Sequence, residues 1–98
     1  MPTLPPTSTV AVTYRYDDDL ETQNRVRPEH RAFLGRQPNL LLSGPTDDGG
    51  ALLVFAGEPA EIEAVLDEDP FRIAGVIAER SVTTWNVVLG TKAGLLNG

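Results

Sequence analysis

The sequence predicts an α+β fold of the ferredoxin-like class, in which a four-stranded antiparallel sheet carries two helices on one face. Three observations lead to this prediction. Four stretches have the apolar patterns of strands, two stretches have the apolar period of helices, and their order along the chain is β-α-β-β-α-β. With 98 residues, the chain is long enough to form one hydrophobic core.

The first strand is expected over Ser8–Tyr16, where apolar or aromatic residues alternate with polar ones. The acidic stretch DDDLETQN that follows is expected to be a solvated loop, since it lacks the spacing of a calcium-binding loop. A first helix is expected from about Arg27 to Gly35. Pro28 suits its first turn, where the missing N–H has no intrahelical partner in any case.

A second strand is expected over Asn39–Pro45 and a third over Ala51–Gly57, separated by the turn signal TDDGG. The segment EPAEIEAVLDED predicts a second helix with an apolar and an acidic face. PFRIAGV predicts a short further turn. The last strand is expected over Ser81–Leu89. Residues 8–90 are therefore interpreted as the domain, with residues 1–7 as a disordered tail and residues 91–98 as a C-terminal tail.

Charge and composition exclude several classes of function. The net charge of −6 argues against a nucleic-acid partner, which requires clustered Lys and Arg. Without any cysteine, disulfides, thiolate chemistry and cysteine-based zinc sites are excluded. The N-terminal stretch predicts neither a signal peptide nor an anchor, and the apolar runs are too short for a membrane span. We expect a cytoplasmic protein with no membrane partner.

The apolar runs of the second and third strands predict a homodimer. Leu40–Leu42 and Leu52–Phe55 are apolar at consecutive positions, so both faces of the sheet are apolar, yet two helices cover only one face. A second copy packed on the other face would bury it. Trp85, in the last strand, is expected in the core or in this interface, with a place in a pocket wall as the alternative.

His30 is the only histidine, and it lies in the stretch VRPEHRAFL. Helical spacing places it with Phe33 and Leu34 on the apolar face, while Glu29 and Arg31 point elsewhere. From spacing alone, three interpretations stay open: a half-buried structural histidine, a general acid or base, and, least supported, a metal ligand.

Three other positions carry two interpretations each. Asp69 precedes Pro70, so it is either only a helix N-cap or also the partner of a ring N–H of His30. Ser43, in Ser-Gly-Pro, either ends a strand or lines a pocket. Arg27 is either solvated or attracts an anionic ligand.

The chain resembles the YciI-like (YCII-related) family of small dimeric α+β barrel proteins. The resemblance rests on VRPEHRAFL, matching V-R-P-x-H-x-x-x-L, on SGP closing the second strand, and on DPFRIAGV, matching D-P-[FY]-x-x-A-G-V. These motifs occur in the family's order, and the resemblance extends from about Ser8 to Leu89. It implies a ferredoxin-like protomer, dimerisation through the sheets, and a pocket with a His-Asp acid/base dyad, here His30 and Asp69.

The resemblance favours a functional pocket. It implies an enzyme that moves a proton on a small organic molecule, by elimination or isomerisation, like relatives proposed as lyases or dehydrohalogenases. The catalytic residues would be His30 and Asp69. Arg27, Ser43, Gly44 and Phe71 would contact the substrate, and neither a metal nor a cofactor is expected. The alternative is a non-catalytic dimer that binds a small ligand or serves a regulatory role.

Overall fold

A computed structural model describes residues 8–93 of the chain. Its elements are four strands, β1 to β4, and three helices, α1 to α3, in the order β1 Thr9–Tyr16, α1 Leu20–Gly35, β2 Leu40–Pro45, β3 Gly50–Ala56, α2 Pro59–Leu66, α3 Pro70–Ile73 and β4 Ile77–Thr84. The strands form one antiparallel sheet in the order β2-β3-β1-β4. This is the predicted ferredoxin-like fold. The two predicted tails lie outside the described residues over 1–7 and 94–98.

One face of the sheet carries the helices and forms the core. Val10, Val12 and Tyr14 of β1 alternate onto this face, opposite Phe55, Leu53 and Ala51 of β3. Phe33 and Leu34 of α1 and Ile62 and Leu66 of α2 complete the buried cluster. The apolar residues of the strand and helix patterns therefore pack against each other between the sheet and the helices, as their spacing predicts.

The prediction for the region before His30 was wrong, because α1 begins at Leu20 rather than near Arg27. Asp19 is the N-cap: its carboxylate accepts hydrogen bonds from the backbone N–H of Thr22, at 3.1 Å, and from the Thr22 hydroxyl, at 2.7 Å. These bonds to Thr22 also lower the pKa of Asp19. Pro28 consequently lies inside the helix rather than in its first turn. A proline there removes one internal hydrogen bond, a cost that the remaining turns and the buried face of α1 offset.

The bounds of the last strand were also wrong, because β4 spans Ile77–Thr84 rather than Ser81–Leu89. β4 pairs with β1, from Ile77 opposite Tyr16 to Thr84 opposite Val10. Beyond that point β1 ends, and the last bond across the pair joins the Trp85 N–H to the Thr9 carbonyl. The apolar run after Trp85 has strand propensity, but within residues 8–93 it has no neighbouring strand. Trp85 itself is 43% exposed in the single chain.

The second face of the sheet carries apolar side chains that the helices do not cover. Thr13 of β1 is paired with Leu52 of β3, and Leu42 of β2 with Val54, so these residues share the face opposite the core. Leu42 is 59% exposed and Leu52 is 41% exposed. Among residues 8–93, no helix is long and apolar enough to cross a membrane.

Candidate active site

His30 and Asp69, 39 residues apart in the chain, are in direct contact. The His30 Nδ1 atom lies 2.7 Å from the Asp69 Oδ1 atom. His30 is 8% exposed and Asp69 is completely buried. His30 lies on the apolar face of α1, which packs on the sheet. Asp69 lies in the segment between α2 and α3, next to His30. The structure therefore places the two side chains of the predicted dyad together.

Asp69 also has the capping role that its position before Pro70 predicted. It is the N-cap of α3, and its Oδ1 atom accepts the backbone N–H of Phe71 at 2.9 Å. The short helix ends at Ile73, and Ala74 is its C-cap. Gly75 follows, and its positive φ of 77° lets the N–H groups of Gly75 and Val76 turn back to the carbonyls of Arg72 and Phe71. α3 is thus fixed at both ends, which fixes the carboxylate of Asp69.

Tyr14 supplies a third hydrogen bond to this carboxylate, and no motif in the sequence predicts it. Its hydroxyl donates to the Asp69 Oδ2 atom at 3.0 Å. Burial, followed by the nearby Asp69 charge and this hydrogen bond, raises the pKa of Tyr14. A buried carboxylate is costly unless hydrogen-bond donors compensate it, and Tyr14, His30 and Phe71 supply them here. The signal in the sequence was the alternation in β1, which turns Tyr14 toward the helices.

The tautomer of His30 follows from this arrangement. When the ring is neutral and Asp69 is ionised, the carboxylate can only accept, so Nδ1 carries the proton and Nε2 keeps a free lone pair. Nε2 makes no hydrogen bond with the described residues. It is also not completely buried, so it is accessible. The Phe71 ring stacks on the imidazole, with ring centroids 4.0 Å apart and an angle of 11° between the planes. The ring is therefore held on one side by a carboxylate and on one face by an aromatic ring.

His30 lines a cavity of about 470 Å³ beside the C-terminal half of α1. All four residues expected to contact substrate also line it: Arg27, Ser43, Gly44 and Phe71. Tyr16 and Arg31 line it as well, although Arg31 was expected to point elsewhere. Its position one helical turn after Arg27 was the signal for that placement. The cavity lining thus includes an imidazole, hydroxyl-bearing side chains, two guanidinium groups and aromatic rings.

Tyr16 closes one side of the cavity. Its ring meets Phe71 edge to face, with centroids 5.4 Å apart and an interplanar angle of 76°. Burial, and then the charge of Asp69, raise the pKa of Tyr16, so its hydroxyl keeps its proton at neutral pH. Within residues 8–93, no group of three or more His, Cys, Asp or Glu side chains is placed to hold a metal ion.

Comparison with known proteins agrees with the fold and the motifs. The sequence model of the YCII-related domain matches residues 7–86 of the chain. The structure is similar to that of 5-chloro-2-hydroxyhydroquinone dehydrochlorinase from Burkholderia phenoliruptrix AC1100, solved in complex with 2,5-dihydroxybenzoquinone. The two are 27% identical, with a TM-score of 0.66, and the match covers 78% of this chain and 92% of that one.

A second similar structure is a dimeric ferredoxin-like protein of unknown function from Thermobifida fusca. It is 13% identical, with a TM-score of 0.52, and the match covers 85% of this chain and 93% of that chain. At this identity the similarity shows the fold alone. No curated protein matches the chain significantly.

Proposed function

Since the chain belongs to the family of YCII-related domain proteins, we propose that it is an enzyme that transfers a proton on a small organic molecule, by elimination or isomerisation. The observation that carries the proposal is the contact of 2.7 Å between His30 Nδ1 and Asp69 Oδ1 at the wall of the cavity. Asp69 holds the ring in one orientation and leaves Nε2 for the substrate. This is the arrangement that a general base requires.

In the proposed elimination, His30 Nε2 removes a proton from a substrate carbon. The electron pair of the broken C–H bond forms the new double bond, and the leaving group departs from the adjacent carbon with the electrons of its own bond. The imidazolium then carries its positive charge beside Asp69. In an isomerisation, the same nitrogen returns the proton to a different carbon.

The remaining cavity residues would bind and orient the substrate. Ser43 offers a hydroxyl that donates or accepts a hydrogen bond, and Gly44 leaves backbone at the cavity wall without a side chain over it. Phe71 fixes the plane of the imidazole. Arg27 places a positive charge at the cavity wall. Holding substrate and base in a fixed relative orientation lowers the entropic cost of the reaction.

The similarity to a dehydrochlorinase makes loss of hydrogen chloride the first reaction to test. We would measure chloride release from 5-chloro-2-hydroxyhydroquinone and from a panel of small chlorinated acids and phenols. His30→Gln removes the base, and general-base catalysis contributes about 100- to 10,000-fold to a rate, so release should fall by at least about 100-fold. Arg25→Gln, on an exposed part of α1 away from the cavity, is the matched control.

A wild-type rate that His30→Gln leaves unchanged, in a variant with an unchanged circular dichroism spectrum, would refute the proposed mechanism. The alternative function, a module that binds a small ligand without turnover, predicts a different pattern. A member of the panel would then bind to wild type and to His30→Gln equally well, and no chloride would be released from any compound.

We also propose that two copies pack through the second face of the sheet. The proposal is supported by the exposure of Leu42 and Leu52 on a face that no helix of residues 8–93 covers. Exposed leucines on adjacent strands form a continuous apolar surface, which a second copy would remove from water. The cytoplasmic location stays a prediction from composition.

A further inference from the structure

The cavity carries an excess of positive charge in an otherwise acidic protein. The chain has a net charge of −6, yet Arg27 and Arg31 both line the cavity and no Asp or Glu of the described residues does. The two arginines are four residues apart on α1, so they lie on the same face of the helix. Both guanidinium groups therefore contribute positive charge to the same cavity.

The charge of Arg27 is held in place without being neutralised. One terminal nitrogen, Nη1, donates to the side-chain oxygen of Asn24, and the guanidinium carbon lies 6.0 Å from the centroid of the Phe71 ring. An amide and an aromatic ring orient a guanidinium group, but neither carries a negative charge. Arg27 is thus preorganised, and its other N–H groups are left for a ligand.

Neither cavity arginine forms an ion pair with the described residues. Other arginines of the chain do: Arg15 contacts Glu79, with Nη2 2.7 Å from Oε1, and Arg80 contacts Asp67, with Nη1 2.9 Å from Oδ1. The acidic surface of the protein therefore supplies partners elsewhere. At the cavity the two positive charges stay open to a ligand.

Two negative features oppose the arginines, and neither outweighs them. The C-terminal end of α1, at Gly35, carries about half a negative charge from its helix dipole. Its last carbonyls are partly occupied, since the side chain of Gln37 donates to the Phe33 carbonyl at 2.9 Å. Asp69 adds one full charge, but it is completely buried below His30 and compensated by three donors. Two full positive charges at the cavity wall exceed both together.

Several residues of the cavity wall are apolar. Leu34 of α1, Leu40 and Pro45 of β2 and Leu53 of β3 line it beside the charged residues. Such a wall favours a ligand with a carbon skeleton over an inorganic anion, because burying apolar surface contributes about 25 cal/mol per Å². The cavity lining therefore combines positive charge with apolar surface.

We propose that the substrate is a small organic oxyanion, either a carboxylate or an ionised enol or phenol, with an apolar carbon skeleton. Its charged oxygen lies at Arg27 and Arg31, its skeleton lies against the leucines, and the carbon that loses the proton faces His30. For the reaction, though not for the binding, this inference rests on the proposed function. The guanidinium groups would also stabilise negative charge that reaches the oxygen as the proton is removed.

The test measures equilibrium binding by titration calorimetry with benzoate, benzamide and acetate. Benzoate has both the charge and the skeleton, benzamide keeps the skeleton without the charge, and acetate keeps the charge with a minimal skeleton. We expect benzoate to bind with millimolar affinity or better, and the other two at least severalfold more weakly. Added salt should weaken the binding of benzoate and leave that of benzamide unchanged.

Arg27→Gln and Arg31→Gln should each raise the Kd for benzoate by about tenfold, because a hydrogen bond to a charged group contributes about 1.5 kcal/mol and 1.4 kcal/mol is tenfold in affinity. Neither change should alter benzamide binding by more than about twofold. Arg25→Gln removes the same charge from the same helix outside the cavity, and it should leave benzoate binding unchanged.

Three results would overturn the inference: no benzoate binding at millimolar concentration, benzamide binding as tight as that of benzoate, or cavity variants that match Arg25→Gln. Because binding needs no turnover, this test and the test of the reaction fail separately. If His30→Gln does not change the activity but the arginine variants weaken benzoate binding, the mechanism is refuted and the anion site is supported. If His30→Gln abolishes the activity but the arginine variants do not change benzoate binding, only the anion site is refuted.

Discussion

The hydroxyl of Tyr14 offers a direct measure of how much the buried carboxylate depends on its donors. It donates to Asp69 Oδ2 at 3.0 Å, and Tyr14 is 3% exposed while Asp69 is fully buried. Tyr14→Phe removes this donor and keeps the ring that packs in the core. The bonds from Phe71 N–H and His30 Nδ1 remain on Oδ1, so the carboxylate loses one of three donors.

The expected loss of stability is about 1–2 kcal/mol. A hydrogen bond to a charged group contributes about 1.5–3 kcal/mol, and phenylalanine recovers part of this because no hydroxyl has to be desolvated on folding. The assay is urea unfolding at neutral pH, at one fixed protein concentration, followed by circular dichroism.

Tyr16→Phe is the matched control for this measurement. Tyr16 lies on the same face of β1, two residues further along, and its hydroxyl makes no hydrogen bond with residues 8–93. Its removal should change the free energy of unfolding by less than about 0.5 kcal/mol. If Tyr14→Phe costs no more than this control, then the hydroxyl does not support Asp69 and the reasoning is wrong.

The same variant should change the alkaline limb of the stability curve. Burial, and then the charge and hydrogen bond of Asp69, raise the pKa of Tyr14 above its ordinary value of 10.0. The folded protein therefore keeps this proton at a pH where the unfolded chain releases it. The contribution of the protonated Tyr14 hydroxyl to the free energy of unfolding is fully present below pH 10. It decreases as the pH rises further, by up to about 1.4 kcal/mol per pH unit. Tyr14→Phe should show a shallower decline above pH 10, and equal slopes in wild type and variant would contradict the assignment.

Two further predictions concern the tautomer of His30 and the second face of the sheet. The neutral ring should carry its proton on Nδ1, which ¹⁵N chemical shifts of the two ring nitrogens report. Asp69→Asn should shift the population toward the Nε2–H form. An Nε2–H ring in wild type would argue against the proposed base. Leu52→Asp should convert a dimer to a monomer in sedimentation at micromolar concentration, whereas Leu20→Asp, an exposed leucine on α1, should not. A monomeric wild type would rule out the dimer.

The order of the elements and the faces that they bury can be predicted from the sequence, because both depend on local periodicity. Alternation in β1 and helical spacing in α2 are properties of short segments, and both patterns appear in the structure where they were expected. The two errors of extent have other causes. The position of Pro28 favours a first helical turn, yet Pro28 lies within α1, because the carboxylate of Asp19 caps the helix two turns earlier. The end of β4 depends on where β1 stops offering a partner, which no local pattern records.

The candidate site was only partly predictable for the same reason. Motifs selected His30 and Asp69, but nothing in their spacing of 39 residues says that the side chains meet. Their contact, the hydrogen bond from Tyr14 and the exposure of Arg31 to the cavity all depend on how α1 and α3 pack on the sheet. A sequence determines which side chains share a face of one element. Which faces of different elements come within hydrogen-bond distance is decided only when the whole core packs.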